Sequence, residues 1–238
     1  MSWYENIPSQ MNQGKNYPRR ELLSWMEKAK PGLSLSGYHW AVTQLIKNGA
    51  IIRTGHDEYS LKDQRSLRNF IPHYSEEAAV LMEKISKKFP NVSFTVFETV
   101  LMNNFLNHLI AQNTFFLQVE RESSIYIFRY LQDEGIPRLM YKPSKEDFGL
   151  YWEAGTVVVI DLVTESPLCH DRPHDMTLEK MLVDMCAEKL IAATFSKAEL
   201  PNVFELANDE YVIDKTKMTR YARRRYKEDE IRKYLKGE

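Results

Sequence analysis

The sequence predicts an α+β protein in two parts, a small N-terminal domain and a larger sheet domain with a helical C-terminus. Its 238 residues are 43% hydrophobic and 27% charged, which suits a folded chain of one large domain or two smaller ones. Two helical patterns and two short apolar runs occupy residues 1–62. From residue 75 onward, apolar runs typical of strands alternate with helical segments, as in sheets covered by helices.

The N-terminal part begins with two amphipathic segments. In "YPRRELLSWMEKAKPG", Leu22 and Met26 lie one helical turn apart, and Pro18 suits the start of a helix. In "GLSLSGYHWAVTQLIKNGA", apolar residues recur every three or four positions up to Leu45, and Gly49 ends the pattern. Each segment therefore predicts a helix.

A small hairpin is predicted directly after the second helix. "AIIRT" and "EYSL" are short strand candidates, and "GHD" between them has the Gly and Asp of a tight turn. Helix, turn, helix and hairpin within residues 1–62 form the winged helix-turn-helix pattern, whose second helix enters the major groove of DNA. The predicted DNA-binding residues are Ser36, His39, Trp40, Thr43, Gln44, Lys47, Arg53 and His56. Such domains also serve as protein-docking modules, in which case the polar face is only solvated.

Residues 63–74 contain a proline and lack periodicity, which predicts a linker. The second domain, residues 75–238, is predicted to contain four strands, in "VSFTVFET", "TFFLQVER", "RLMYKP" and "GTVVVIDLV". "EEAAVLMEKISKKFP", "VLMNNFLNHLIAQN" and "SSIYIFRYLQDEG" are predicted helices between them. "TLEKMLVDMCAEKL", "FSKAELPNVFELAND" and "YVIDKTKMTRYARRRYKEDEIRKYL" predict a helical C-terminus. The fold class is thus an N-terminal winged helix-turn-helix followed by a mixed α/β sheet domain.

The predicted strand ends carry a set of polar residues without an assigned role: Glu98, Glu120, Arg121, Lys142 and Asp161. If they converge at one end of the sheet, they can hold a divalent cation, as in metal-dependent nucleases. The carboxylate-x-lysine pair of such nucleases is missing, because Glu122 stands two places after Glu120. A salt-bridged structural cluster is the alternative. The common nucleotide-binding and hydrolase motifs are absent, so no enzymatic activity is predicted.

Basic residues are concentrated at both ends of the chain. Residues 1–74 hold 10 Lys and Arg against 6 Asp and Glu, residues 75–209 hold 12 against 21, and residues 210–238 hold 10 against 6. Near the C-terminus a candidate basic face consists of Lys217, Arg220, Arg224 and Lys227, with Tyr221 and Tyr226 interleaved. This pattern suits phosphate tracking or a solvated terminal helix with Lys/Glu pairs.

The remaining motifs predict no cofactor and no metal. "LCHDRPHD" groups ligand-type side chains, but no matching Cys/His group completes a zinc site, so an ordinary loop is expected. His73 and His108 are expected to serve packing only. Cys169 and Cys186 are too few for a disulfide framework, and no apolar run reaches the roughly 18 residues of a membrane span. Without a signal-peptide pattern in "MSWYENIPSQ", the expected location is cytoplasmic.

The order of several blocks resembles the AbiEi-type antitoxins of bacterial type IV toxin–antitoxin systems, in particular a Bacteroidota branch. The blocks are "LSGYHWAVTQLIKNGAIIRTGHDEYSL", "FLQVERESSIYIFRYL", "YKPS", "VVVIDLVTESP" and "TLEKMLVDM". The resemblance implies an N-terminal winged helix that represses its own operon, with duplex operator DNA as its partner. It also implies a C-terminal domain that neutralises a nucleotidyltransferase toxin without a stable complex.

The resemblance places the helix and wing contacts on the predicted DNA-binding residues. At the wing the sequence departs from the compact basic "GRG" tip of the family, since "GHD" brings Asp57 near phosphates. The predicted function is that of a transcriptional autorepressor and antitoxin of an abortive-infection type. The alternative is a winged-helix protein with a nuclease-like or other metal-dependent second domain.

Overall fold

The computed structural model describes residues 2–12, 15–55, 57–61 and 67–236. The chain divides into two compact units, Met1–Ser66 and Leu67–Glu238. Helices and two sheets are both present, so the mixed α+β class is confirmed. None of the described helices is long and apolar enough to cross a membrane.

The first unit contains two helices and a three-stranded antiparallel sheet. Its elements are β1 (Tyr17–Pro18), α1 (Arg19–Ala29), α2 (Leu35–Lys47), β2 (Ile51–Gly55) and β3 (Glu58–Leu61). Both predicted helices and both predicted strands are confirmed, whereas β1 was not predicted. The strand order is β1-β3-β2. Ser34 caps α2 because its Oγ accepts the backbone N–H of Gly37 at 3.3 Å.

The second unit is a mixed sheet between two layers of helices. Its strands are β4 (Phe94–Glu98), β5 (Thr114–Val119), β6 (Leu139–Tyr141) and β7 (Thr156–Asp161), in the order β4-β5-β7-β6. β4 is antiparallel to β5, whereas β5, β7 and β6 are parallel. Its helices are α3 (Glu76–Lys88), α4 (Ser124–Asp133), α5 (Lys145–Tyr151), α6 (Leu178–Ala187), α7 (Leu200–Glu210), α8 (Lys215–Arg224) and α9 (Glu228–Lys236).

Alternation along each strand gives this sheet two apolar faces. Leu117 and Val159 belong to one cluster together with residues of α3 and α4, such as Leu81 and Ile127. On the other face, Phe97 of β4, Phe116 of β5 and Val158 of β7 belong to a larger cluster with residues of α6, α7 and α8. Burial on both faces explains why the strands have near-continuous apolar sequences.

Two helix predictions need correction. "VLMNNFLNHLIAQN" does not form an α-helix: a short 3-10 helix covers Thr99–Asn104, and the chain then runs irregularly to β5. The side chain of Asn103 stabilises this path by bonding both the N–H and the C=O of Ile110, at 2.7 and 3.2 Å. The predicted C-terminal helix is broken into α8 and α9 at Tyr226, whose φ is +57°. In addition, α5 was not predicted.

The part of the predicted linker that the structure describes is packed on the second unit. The backbone N–H of Arg68 bonds the carbonyl of Glu210 at 2.9 Å, and Phe70 contacts Tyr211 edge to face. Tyr74 donates its hydroxyl to Val96 O at 3.0 Å. Residues 67–74 therefore belong to the second unit, and residues 62–66 lie outside the described part of the chain.

Candidate nucleic-acid interface and sheet-edge cluster

The outward face of α2 is a stripe of polar and aromatic side chains. Tyr38, Ala41, Val42 and Leu45 are the buried residues of this helix. On the opposite side lie four exposed residues at spacings of three and four, Ser36, Trp40, Thr43 and Lys47. His39 and Gln44 lie on the two flanks of this stripe and are half-buried. The structure thus brings six of the eight predicted DNA-binding residues onto one exposed helix.

The hydroxyl groups of this stripe have local partners and keep acceptor capacity. Ser36 Oγ lies 2.9 Å from Ser34 Oγ. Thr43 Oγ1 donates to the carbonyl of His39 at 3.0 Å, so its lone pairs remain able to accept a hydrogen bond. Lys47 forms no ion pair with any residue in the described part of the chain. Its ammonium group is therefore available to an external anion.

Trp40 is 54% exposed, which is a large apolar exposure on a polar helix face. Its ring meets Tyr4 edge to face, with 5.6 Å between the ring centroids. The N-terminal segment therefore covers one edge of the indole. The rest of the ring is open at the centre of the stripe, where it can contact a ligand.

At the hairpin, Arg53 is exposed on β2, opposite Tyr59 of β3. His56 lies outside the described residues. Asp57 adopts a φ of +57°, and its carbonyl accepts the backbone N–H of Arg19 at 2.7 Å. Its Oδ1 lies 3.2 Å from Nη1 of Arg19. The negative charge that the sequence places near the hairpin tip thus has a cation beside it.

In the second unit, part of the predicted strand-end set does converge. Lys142 Nζ lies 2.6 Å from Oδ1 of Asp161, at the carboxyl ends of the parallel strands. Ser124 donates to the same oxygen at 3.1 Å and lies 3.2 Å from the Tyr141 hydroxyl. The hydrogen bond with Ser124 lowers the pKa of Tyr141. Burial opposes the charge on Lys142, but the contact with Asp161 raises the pKa of this lysine.

Glu98 does not join this cluster, so the condition that all five residues converge at one end of the sheet is not met. β4 runs antiparallel to β5, so Glu98 pairs with Phe115 at the amino end of that strand. Its buried carboxylate accepts from Asn113 Nδ2 at 2.6 Å and from the N–H of Ser75 at 2.9 Å. A carboxylate at the far end of the sheet cannot share a cation with Asp161.

Glu120 and Arg121 complete the predicted set. Glu120 accepts from the Ser93 N–H at 3.3 Å and from the Ser123 hydroxyl at 2.9 Å, so it joins two loops. Arg121 is exposed. Within the described residues, no group of three or more His, Cys, Asp or Glu side chains could hold a metal ion. The edge cluster is therefore a set of hydrogen bonds around one ion pair.

A buried ionic network that the sequence analysis missed lies between β5 and the helices α6 and α8. Lys180 is fully buried, and its Nζ contacts Gln118 Oε1 at 2.6 Å, Asp184 Oδ2 at 2.8 Å and the Tyr221 hydroxyl at 3.1 Å. Tyr221 donates to Asp184 Oδ1 at 2.7 Å. Arg225 lies 3.8 Å from the same oxygen. The i, i+4 spacing of Lys180 and Asp184 is the signal that could have revealed the pair.

Burial and pairing act in opposite directions on this network. Burial lowers the pKa of Lys180, against the attraction of Asp184. For Asp184, burial alone would raise the pKa, but Lys180 and Arg225 lower it below its ordinary value. All three ammonium protons of Lys180 have acceptors, so the network holds α6 and α8 against β5.

Lys217, Arg220 and Arg224 of the candidate basic face are exposed on α8, and each of them has a neighbour within the chain. Lys217 pairs with Asp214 at 3.4 Å and Arg220 with Glu165 at 3.7 Å, while Arg224 donates to Thr164 at 2.7 Å. Lys227 follows the end of α8 and pairs with Glu230 at 2.6 Å. Tyr221 is fully buried, whereas Tyr226 is 93% exposed. Lys217, Arg220 and Lys227 therefore have acidic neighbours, whereas the partner of Arg224 is an uncharged hydroxyl.

Two histidines have clear surroundings. His174, in the Cys/His-rich loop, stacks on Phe94 with 3.8 Å between the ring centroids. The His108 side chain is 90% exposed, and its Nδ1 lies 2.7 Å from Glu199 Oε1. The expectation that His108 serves packing only is therefore wrong. It stands beside a groove of about 550 Å³ between residues 107–112 and 194–202.

Comparison with known proteins gives a family and no named relative. Residues 38–238 match the family model described as a family of unknown function (DUF6577). No curated protein and no solved structure matches the chain.

Proposed function

The chain belongs to the DUF6577 family, whose function is unknown, and we propose that it is a DNA-binding transcriptional autorepressor that also acts as an antitoxin. The outward stripe of α2 carries the DNA-binding part of the proposal. Ser36, Thr43 and Lys47 combine hydrogen-bonding groups with a cation on the side of the helix opposite its buried face. These are the groups with which a helix contacts base edges and phosphates.

The arrangement of the first unit supports the same proposal. α1, α2 and the β2–β3 hairpin follow one another in the order of a winged helix-turn-helix, and β1 adds a third strand beside β3. In such domains the second helix enters the major groove and the hairpin follows the backbone. Arg53 on β2 is exposed and suits a phosphate contact. Arg19 reduces the repulsion that Asp57 would exert on phosphates.

The antitoxin part rests on the resemblance to AbiEi-type proteins. In that family the second domain counteracts a nucleotidyltransferase toxin, and the first represses the operon. The blocks that carry the resemblance continue through the second unit, up to "TLEKMLVDM" in α6. We therefore assign DNA binding to the first unit and protection to the second.

A gel-shift experiment with the region upstream of the gene tests the DNA-binding part. Thr43→Ala/Gln44→Ala should lower the preference for operator over random duplex, each lost base contact costing about 1–3 kcal/mol. The matched control is Thr216→Ala/Gln132→Ala, which changes the same residue types at exposed positions of the second unit. An unchanged operator preference in the α2 variant would contradict base reading by this helix.

The division of roles is tested in cells with the full-length chain. The α2 variant should lose repression of the operon and still protect cells that express the neighbouring nucleotidyltransferase toxin. Loss of protection in a variant that folds and accumulates normally would contradict the assignment. Magnesium- or manganese-dependent nuclease activity that disappears in Glu120→Ala would favour the alternative of an enzymatic second domain.

A further inference from the structure

The outermost stripe of α1 is a second polar surface of the first unit, separate from the stripe of α2. Leu22 and Met26 are the buried residues of α1. Arg20, Ser24 and Glu27 are exposed on the opposite side. With Leu23, they border a groove of about 440 Å³ whose other wall is formed by Leu33, Leu35 and Tyr38. Leu35 is 61% exposed at this wall.

The two charges of this stripe have no ionic partner among the residues that the structure describes. Neither Arg20 nor Glu27 forms an ion pair with a residue that the structure describes. They are two helical turns apart, about 10 Å along the axis, which is too far for them to pair with each other. Two opposite charges without an ion pair among the described residues therefore lie along one wall of the groove, and the exposed Leu35 lies on the other wall.

The stripe is self-complementary under a two-fold rotation, and we propose that it binds a second copy of this chain. If two α1 helices pack antiparallel with the axis between positions 23 and 24, Arg20 of one copy faces Glu27 of the other, and the reverse pair forms at the same time. Leu23 then faces Ser24 of the partner, whose small side chain permits close approach of the helices. A two-fold contact uses the same patch on both copies, as this one requires.

The chemistry of the stripe favours a second copy over nucleic acid. Arg20 and Glu27 together carry no net charge, and a carboxylate at one end of the stripe would repel phosphates. The α2 stripe is not part of the groove, so it remains available for DNA. Seven residues border the groove, far fewer than the roughly 20–30 residues a side of a stable interface, so the dimer belongs to the weak, concentration-dependent class.

Analytical ultracentrifugation of the full chain over a range of concentrations tests the proposal without DNA. The natural chain should show a monomer–dimer equilibrium. Arg20→Glu and Glu27→Arg should each weaken dimerisation on the order of tenfold or more, because the two-fold axis creates two like-charge contacts at once. The double variant Arg20→Glu/Glu27→Arg should restore it, since both pairs are re-formed with reversed polarity.

Lys28→Glu, on the same helix but outside the stripe, is the charge-matched control and should leave dimerisation unchanged. Leu35→Gln should weaken the dimer without introducing charge. Thermal melts establish that each variant is folded. A chain that is monomeric at every concentration, or a double variant that fails to recover, would overturn the proposal. So would an Arg20→Glu variant that loses DNA affinity while its mass distribution is unchanged, since this would make Arg20 a phosphate contact. The test is independent of the proposed DNA function, because no DNA is needed for the dimer.

Discussion

Helices α2 and α8 both carry basic and polar side chains on exposed surfaces, but their charges have different surroundings. Lys47 of α2 has no acidic partner among the described residues, whereas Lys217 and Arg220 of α8 face Asp214 and Glu165. α2 therefore leaves a cation available to an external partner, whereas two cations of α8 lie beside acidic residues of the same chain. The number of basic residues in a segment is therefore a poor guide to a candidate interface. Whether each basic side chain already lies beside an acidic residue of the same chain is more informative.

The largest expected effect concerns the most enclosed cation of the second unit. Lys180→Met should destabilise the protein by about 3–5 kcal/mol, because it leaves Asp184 buried without its ammonium partner. Lys180→Met/Asp184→Leu should recover much of this loss. Urea denaturation measures both. Lys217→Met, which removes an exposed lysine, is the control and should change stability by less than about 0.5 kcal/mol. If the single buried variant is as stable as the natural chain, these charges are not structural.

A second test asks whether α8 and α9 stay packed against α6, where Cys186 is buried. Burial raises the pKa of the Cys186 thiol to about 12, whereas Cys169 is only half-buried. In the native protein at pH 8, a disulfide reagent should label Cys169 and leave Cys186 unmodified until the chain is unfolded. Cys169→Ser isolates the second thiol. Rapid native labelling of Cys186 would mean that α8 and α9 open easily, which would free their cations for other partners.

The comparison of two single lysines is a finer test. Lys47→Ala should reduce the slope of log affinity for DNA against log salt by about 0.9, the value for one phosphate contact. Lys217→Ala should leave the slope unchanged, because its ammonium group lies beside Asp214. Fluorescence anisotropy with the upstream duplex gives both slopes. Equal reductions would remove the distinction between the two helices.

The smallest expected effect concerns the contact between Glu199 and His108 in the second unit. The hydrogen bond from His108 lowers the pKa of Glu199 below its ordinary value of 4.5. Glu199 therefore contributes stability above pH 4.5, and this contribution is lost as the pH falls through its lowered pKa in the folded state. The natural chain should lose its stability advantage over Glu199→Gln in this way, so the difference between their urea midpoints should become smaller as the pH falls below 4.5. A difference that stays constant with pH would show that the carboxylate charge is not involved.

The sequence predicts the local elements better than their arrangement. The strand around Val157–Ile160 and the helix at α3 are confirmed, because periodicity and caps such as Ser75 are local signals. The direction in which a strand joins the sheet, in contrast, depends on residues that are distant in the sequence. Nothing near Glu98 indicates that β4 runs opposite to β5, so the sequence cannot show that this residue lies at the end of the sheet away from Asp161.

The break between α8 and α9 has a similar cause. "RRRYKEDE" contains neither glycine nor proline, yet Tyr226 adopts a left-handed φ there. Tyr221 before the break and Ile231 after it are both fully buried in the same cluster. Packing of both residues on one core outweighs the helical propensity of the segment. At the candidate interface, the outward stripe of α2 follows from periodicity, but the Arg19–Asp57 contact joins residues 38 positions apart and could not be read locally.

The strand order β4-β5-β7-β6 also constrains when the second unit can form during synthesis. β7 lies between β5 and β6, and the pairing of β6 is with β7. Residues 139–141 thus have no place in the sheet until residues 156–161 have left the ribosome. The hydrogen bonds between β5 and β7 join residues about 40 positions apart, and such long-range parallel pairings form slowly. The first unit ends at Ser66, and its described contacts join residues between positions 2 and 61, so it can fold while the second unit is still being translated.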